Sequence, residues 1–304
     1  MGVVLLVSVG AFSLLKCTVS PHNEVDLEKS DTAKAASSRK VPKQDISLVG
    51  LGDSLTHGVG DPENKGGYVH MIKQKLNKEH NVSVTTNNFG KTGDRSDQIE
   101  KRVETSKKLQ DALEDADVIT MTVGGNDLMQ VMQNNFMALA ANKLDKVMPK
   151  EEEKYDAKLS SLFTAVRKYN SKAPIFLISV YNPFYVYFPN LTPMQKYTEE
   201  WNKIAESHAE KDDKMEFVDV CDQLSEGQYY GHSKKKLKQE ANSDLAELSN
   251  QNLETALNDK SEKNDYLSDA DHFHPNKKGY RYMTSRLYEV MEKHEDLWLK
   301  KGNE

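Results

Sequence analysis

Short apolar segments recur along the chain, and amphipathic stretches separate them. ISLVGL (46–51) leads to a helical pattern over Gly67–His80, then VSVTTNNF (82–89), a charged helical stretch over Ser96–Glu114, and DVITMTVG (117–124). A long helical region covers Leu128–Asn170. PIFLISVYN (174–182), a helical stretch over Pro193–Lys211, MEFVDV (215–220) and a final helix from about Pro275 complete the series. Buried strands alternating with helices imply a parallel sheet, because each parallel connection must cross back over a face of the sheet. The pattern therefore predicts an α/β fold, a three-layer α/β/α sandwich on a parallel, about five-stranded, flavodoxin-like sheet. It occupies one domain over 46–304. Two segments exceed what the alternation needs, near 128–149 and 225–265; both are polar and helix-favouring, and we read them as insertions on one core.

The chain ahead of the first strand is of another kind. GVVLLVSVGAFSLL (2–15) carries no charge and falls short of the ~20 residues of a spanning helix, which suits the apolar part of an export signal. No basic stretch precedes it, which leaves room for a start further upstream. Cys17 follows in LLKC and invites a lipoprotein reading, although Lys16 stands where such signals prefer a small residue. We therefore expect residues 1–17 to be a signal or membrane-anchor segment and the protein to be exported, membrane-anchored or secreted. Residues 18–45 are rich in Ser, Lys, Asp and Ala, lack aromatics and read as a flexible linker.

Composition narrows the partners. A formal net charge of -6 with interspersed Lys and Glu is unlike the basic footprint of a nucleic-acid binder. The two cysteines, Cys17 and Cys221, imply no structural disulfide.

Functional groups of an open parallel sheet gather where the strands end at their carboxyl edge. After the first strand stands Gly52-Asp53-Ser54-Leu55, after the second Asn88-Phe89-Gly90, and after the third Gly124-Gly125-Asn126-Asp127. Before the last helix stands Asp271-His272-Phe273-His274-Pro275. A serine hydroxyl needs a base to become a nucleophile, histidine is suited to that work, and an aspartate fixes the histidine's tautomer. The developing oxyanion needs preorganised donors, which the N–H groups of Ser54 and Gly90 and the Asn126 amide would provide.

These four blocks resemble those of the SGNH hydrolases, the GDSL esterase/lipase family. The likeness spans about Ile46 to the final helix, and it is the four blocks in order that carry it. It implies carboxylic-ester hydrolysis through an acyl-enzyme, with small-molecule, lipid or acylated-glycan esters as substrates and no cofactor or metal. Carried over block by block, Ser54 is the expected nucleophile, His274 the base, Asp271 its partner, and Ser54, Gly90 and Asn126 the oxyanion hole. In NNFGKTGDRS (87–96), either Asn87 or Asn88 suits the role of local turn former.

Each residue also has a plainer reading. Ser54 suits a helix N-cap, GGND an ordinary turn, His57 a solvent-facing loop, His208 a polar helix face and Cys221 a structural site. The aromatic run YNPFYVYFPN (181–190) suits either a pocket wall or simple packing. An α/β-hydrolase elbow would need Gly-x-Ser-x-Gly, and the sequence has Thr56 at the last position. A carbohydrate O-deacetylase of the same fold and an inactive cell-surface binding module are the alternatives. His272 and His274 would face the same side of an extended stretch, so position alone does not choose between them; the family spacing selects His274.

Overall fold

The computed structural model describes residues 44–140, 143–240 and 262–299. The expected signal or anchor segment and nearly all of the linker lie outside these residues, as do 241–261 of the second insertion. Among the described residues no helix is long and apolar enough to cross a membrane.

Five parallel strands form one sheet: β1 (Gln44–Gly52), β2 (Val82–Gly90), β3 (Val118–Thr122), β4 (Ile175–Ile178) and β5 (Met215–Val218), in the order β2-β1-β3-β4-β5. This is the expected α/β architecture. β1 starts two residues earlier than its apolar pattern suggested, because Gln44 and Asp45 pair with Val82 and Ser83 of β2. β3 and β4 are buried throughout, as central strands covered on both faces must be. Successive strand residues feed opposite cores. Ile175 and Leu177 pack on the side of Ile99, Leu109, Leu159 and Trp201, whereas Phe176 and Ile178 pack on the side of Ile72, Tyr280 and Leu287.

Helices α1 (Ser54–His57) and α2 (Gly67–Glu79) follow β1. The stretch expected as one helix over 96–114 is two, α3 (Ser96–Thr105) and α4 (Lys107–Glu114), because the Ser106 hydroxyl accepts the Leu109 N–H and caps a new start. The region 128–170 is likewise divided. It contains α5 (Gly125–Asn134), α6 (Phe136–Ala140), a short 3-10 turn and α7 (Met148–Tyr169), with Pro149 in the first turn of α7 where its missing N–H costs nothing. Then come α8 (Thr192–Ala209), α9 (Cys221–Glu226), α10 (Lys235–Glu240) and α11 (Lys277–Lys293). Pro275 does not open α11. Asn276 does, its side chain accepting the N–H groups of Lys278 and Gly279, while Pro275 forms a bridge with Leu267.

The strand order reverses direction between β1 and β3. Their carboxyl ends, Gly52 and Thr122, stand side by side, and ligands of open α/β sheets bind above such a switch point.

Candidate active site

Asp53 follows β1 and caps the single turn of α1: its Oδ1 accepts the Leu55 N–H at 3.0 Å and the Thr122 hydroxyl from β3 at 2.7 Å. Ser54 is thus the first helical residue, not the cap, and its hydroxyl stands at the mouth of the switch point. Beneath it, the Thr56 hydroxyl meets those of Thr122 at 2.8 Å and Tyr68 at 2.9 Å. Every member of this layer is buried. Burial raises the Asp53 carboxyl to about 6, against the opposing pull of the Thr122 hydroxyl, the Leu55 N–H and the nearby His274.

His274 arrives from 220 residues further along. Its Nε2 lies 2.8 Å from Ser54 Oγ, and its Nδ1 lies 2.6 Å from Asp271 Oδ2. A carboxylate on Nδ1 requires the proton there, which leaves Nε2 to accept the Ser54 hydroxyl proton. The other Asp271 oxygen accepts the N–H groups of Phe273 and His274 at 3.0 and 2.9 Å. Burial tends to raise Asp271, but the His274 ring, its charge and these two N–H groups outweigh it and hold the carboxyl below its ordinary value. The loop itself is tied down: Ser268 N–H donates to the His274 carbonyl, and the Tyr181 hydroxyl donates to the Phe273 carbonyl at 2.6 Å.

Asn126, in the first turn of α5, donates one amide hydrogen to the Asp94 carbonyl at 2.9 Å. The second amide hydrogen has no acceptor among the described residues, and Asn126 and Ser54 line the same cavity. Gly90 is placed otherwise than expected. Its N–H donates to Asn88 Oδ1 at 2.8 Å, and a Cβ there would lie 2.0 Å from the His57 nitrogen, so Gly90 faces the packed back of α1. The turn former is Asn88, whose amide also holds the Thr56 carbonyl. Three residues on, Gly93 adopts φ +82, with open space where a Cβ would stand and no acceptor for its N–H among the described residues. Gly93 adjoins Asp94, the residue that holds Asn126. The signal was in the sequence as the second glycine of GKTGDRS, a turn glycine in front of a helix.

Two polar links hold these loops, and sequence reasoning missed both. Arg102 donates to Asp94 at 2.6 Å and to the carbonyls of Phe89 and Gly52, which staples the loop after β2 to the end of β1. Asp127 accepts the N–H and hydroxyl of Ser96 at 2.9 and 2.6 Å, which fastens the loop after β3 to the start of α3.

His272 is nearly enclosed. Its Nδ1 donates to Glu262 at 2.6 Å beside the Tyr187 hydroxyl, and its φ of +55 breaks the extended stretch that would have turned both histidines to one side. His57 is exposed with Nδ1 near the Gly90 carbonyl; His208 pairs with Asp156. Cys221 is buried in α9, and burial pushes its thiol up to about 12. Of the aromatic run, Tyr181 lines a cavity at Ser54, Phe184 packs on Phe273, and Tyr187 packs on His272. That cavity is small, about 30 Å³. A larger one, about 530 Å³, lies at the opposite edge of the sheet beside Asp117, Asn170 and Trp298 and touches none of these groups.

Residues 51–282 match the model of the GDSL-like lipase/acylhydrolase family. The chain belongs to that family. It is a carboxylic ester hydrolase of the GDSL type. It is 28% identical to the uncharacterized protein YpmR of Bacillus subtilis over 88% of this chain and 89% of that protein. It is 27% identical to the spore germination lipase LipC of Bacillus licheniformis, over 46% of this chain and 65% of LipC. Among solved structures, the lipase Lip_vut3 from a goat rumen metagenome superposes with a TM-score of 0.58 at 23% identity, covering 81% of this chain and 97% of that one. The acetylxylan esterase Axe2 of Geobacillus stearothermophilus superposes with a TM-score of 0.51 at 17% identity, covering 82% of this chain and 95% of that one. The last two are likenesses of fold.

Proposed function

We propose that the protein hydrolyses esters through an acyl-enzyme on Ser54, with His274 as base, Asp271 as its orienting partner, and Asn126, Ser54 and Gly93 as oxyanion donors. The observation that carries this reading is the unbroken relay from Ser54 Oγ through His274 to Asp271, at 2.8 and 2.6 Å. His274 Nε2 takes the hydroxyl proton as Oγ bonds the ester carbonyl carbon. The negative oxygen is met by the Asn126 amide and the backbone donors, and the leaving alcohol departs with the proton from His274. Water then attacks the acyl-enzyme by the same route and frees the acid. The intact relay also counts against an inactive binding module.

The test is turnover of p-nitrophenyl esters by the purified protein. Ser54→Ala is expected to remove nearly all activity with the fold retained by circular dichroism; wild-type turnover by that variant contradicts the reading.

We also propose an extracytoplasmic location, on a membrane tether or secreted. The apolar run 2–15 and the polar stretch 18–45 support it. Fractionation of cells with an activity assay checks it: activity confined to the cytosol is the contrary result, and Cys17→Ala with unchanged membrane retention removes the lipoprotein form.

A further inference from the structure

The cavity beside Ser54 offers about 30 Å³ of space, whereas an apolar cavity of ~150 Å³ holds benzene. Its apolar walls are Val180, Tyr181 and Phe273, and Gly125 and Asn126 stand opposite. These walls are fixed. Val180 is gripped by Asn202, which accepts its N–H and donates to its carbonyl, both at 2.9 Å. The Tyr181 hydroxyl clips the Phe273 carbonyl, and the Phe273 ring lies edge-on between Phe184 and His274. These bonds fix the backbone that carries the walls, so a longer chain has to displace packed side chains to enter.

The direction of attack decides which half of the ester enters. Ser54 Oγ must reach the carbonyl carbon and the carbonyl oxygen must face Asn126. The leaving oxygen must face His274 Nε2, which returns its proton. Asn126 lines the cavity and His274 does not. We infer that the cavity is the acyl subsite and that it restricts the protein to esters of very short acids, acetyl esters above all. This rests on the serine-esterase reading above. Ser54 Oγ bonds the acetyl carbon while its proton passes to His274, and the alcohol leaves with that proton. Water then displaces Ser54 from the acetyl group and acetate is released.

The experiment compares p-nitrophenyl acetate, butyrate and hexanoate, which share one leaving group, on the purified full-length protein and two variants. A methylene that an apolar pocket does not accommodate costs roughly ten- to two-hundredfold. Wild type is expected to show at least a roughly tenfold lower kcat/KM on butyrate than on acetate, and a lower value again on hexanoate. Val180→Ala should raise the butyrate-to-acetate ratio about tenfold. Gly125→Ala should lower it further, since the new methyl would stand 3.8 Å from Val180 Cγ1 and fill the space without a clash. If Val180→Ala does not fold, the wild-type profile and the Gly125→Ala ratio decide. A wild-type preference for hexanoate, or a ratio that no folded variant moves, overturns the acyl-subsite assignment and leaves Ser54 chemistry standing. Turnover of all three esters by Ser54→Ala overturns the reading beneath it.

Discussion

Two acid–histidine pairs stand two residues apart in the chain, and their inner geometry is the same. His274 Nδ1 lies 2.6 Å from Asp271, and His272 Nδ1 lies 2.6 Å from Glu262. What separates them is surroundings. The His272 and Glu262 side chains are 5% and 3% exposed, and His272 Nε2 meets no partner among the described residues; His274 and Asp271 are 14% and 33% exposed, and His274 Nε2 meets a hydroxyl. A pair so enclosed fastens the loop 262–276 to the Tyr187 segment. The pair at the mouth of the sheet is the one we propose moves a proton, since His274 Nε2 faces the Ser54 hydroxyl. A histidine with a carboxylate is therefore no sign of catalysis until its second nitrogen is followed outward.

The first way to break this comparison is to delete each ring. His274→Ala should lower kcat/KM by about 10⁴–10⁶-fold, whereas His272→Ala should stay within about tenfold. Comparable losses in both would erase the distinction. Exchanging the acids is gentler. Asp271→Asn should lower kcat by up to about 10⁴-fold, because an amide presents the wrong group to Nδ1, while Glu262→Gln should leave kcat within about tenfold. Steady-state kinetics on folded variants check both. On the other side of Ser54, Asn126→Ala should lower kcat by about 10²–10³-fold with little change in KM, and an effect on KM alone would make it a binding residue.

Stability sharpens the contrast from the other direction. Removing the His272 ring leaves the Glu262 carboxylate buried without its partner, so His272→Ala should cost about 3–5 kcal/mol in denaturant unfolding. His274→Ala, whose partner is a third exposed, should cost much less. A pH-dependent effect concerns Asp53, the carboxyl under Ser54. Its folded pKa of about 6 lies above the ordinary 3.8, so the stability it lends is complete below 3.8 and lost as pH rises through about 6. Asp53→Asn keeps an acceptor for the Leu55 N–H. It should therefore gain stability relative to wild type between about pH 4 and pH 8, by at most about 3 kcal/mol. A pH-independent difference in thermal unfolding would contradict the assignment.

The sheet was legible because period and burial agree: ISLVGL, DVITMTVG and PIFLISVYN hold their strands, and the order of the blocks places Ser54 and Asn126 at neighbouring strand ends. What escaped notice depends on contacts between distant residues. The break at Ser106 turns on one hydroxyl choosing a cap, a competition that helical periodicity does not register. Gly90 and Gly93 are both glycines in one loop, and only the Asn88 side chain settles which N–H is engaged. Glu262 lies ten residues from His272 in a polar stretch, and nothing in that stretch announces a buried carboxylate. The positive φ of His272 has no signature of its own.

The most direct test of the central claim is the rate at which a fluorophosphonate labels each form of the protein, with the adduct located by peptide mass. One adduct on Ser54 is expected. It should be absent in Ser54→Ala, slowed by orders of magnitude in His274→Ala, and formed at the wild-type rate in folded His272→Ala. An adduct on another residue, or wild-type labelling of Ser54 without the His274 ring, would contradict the account.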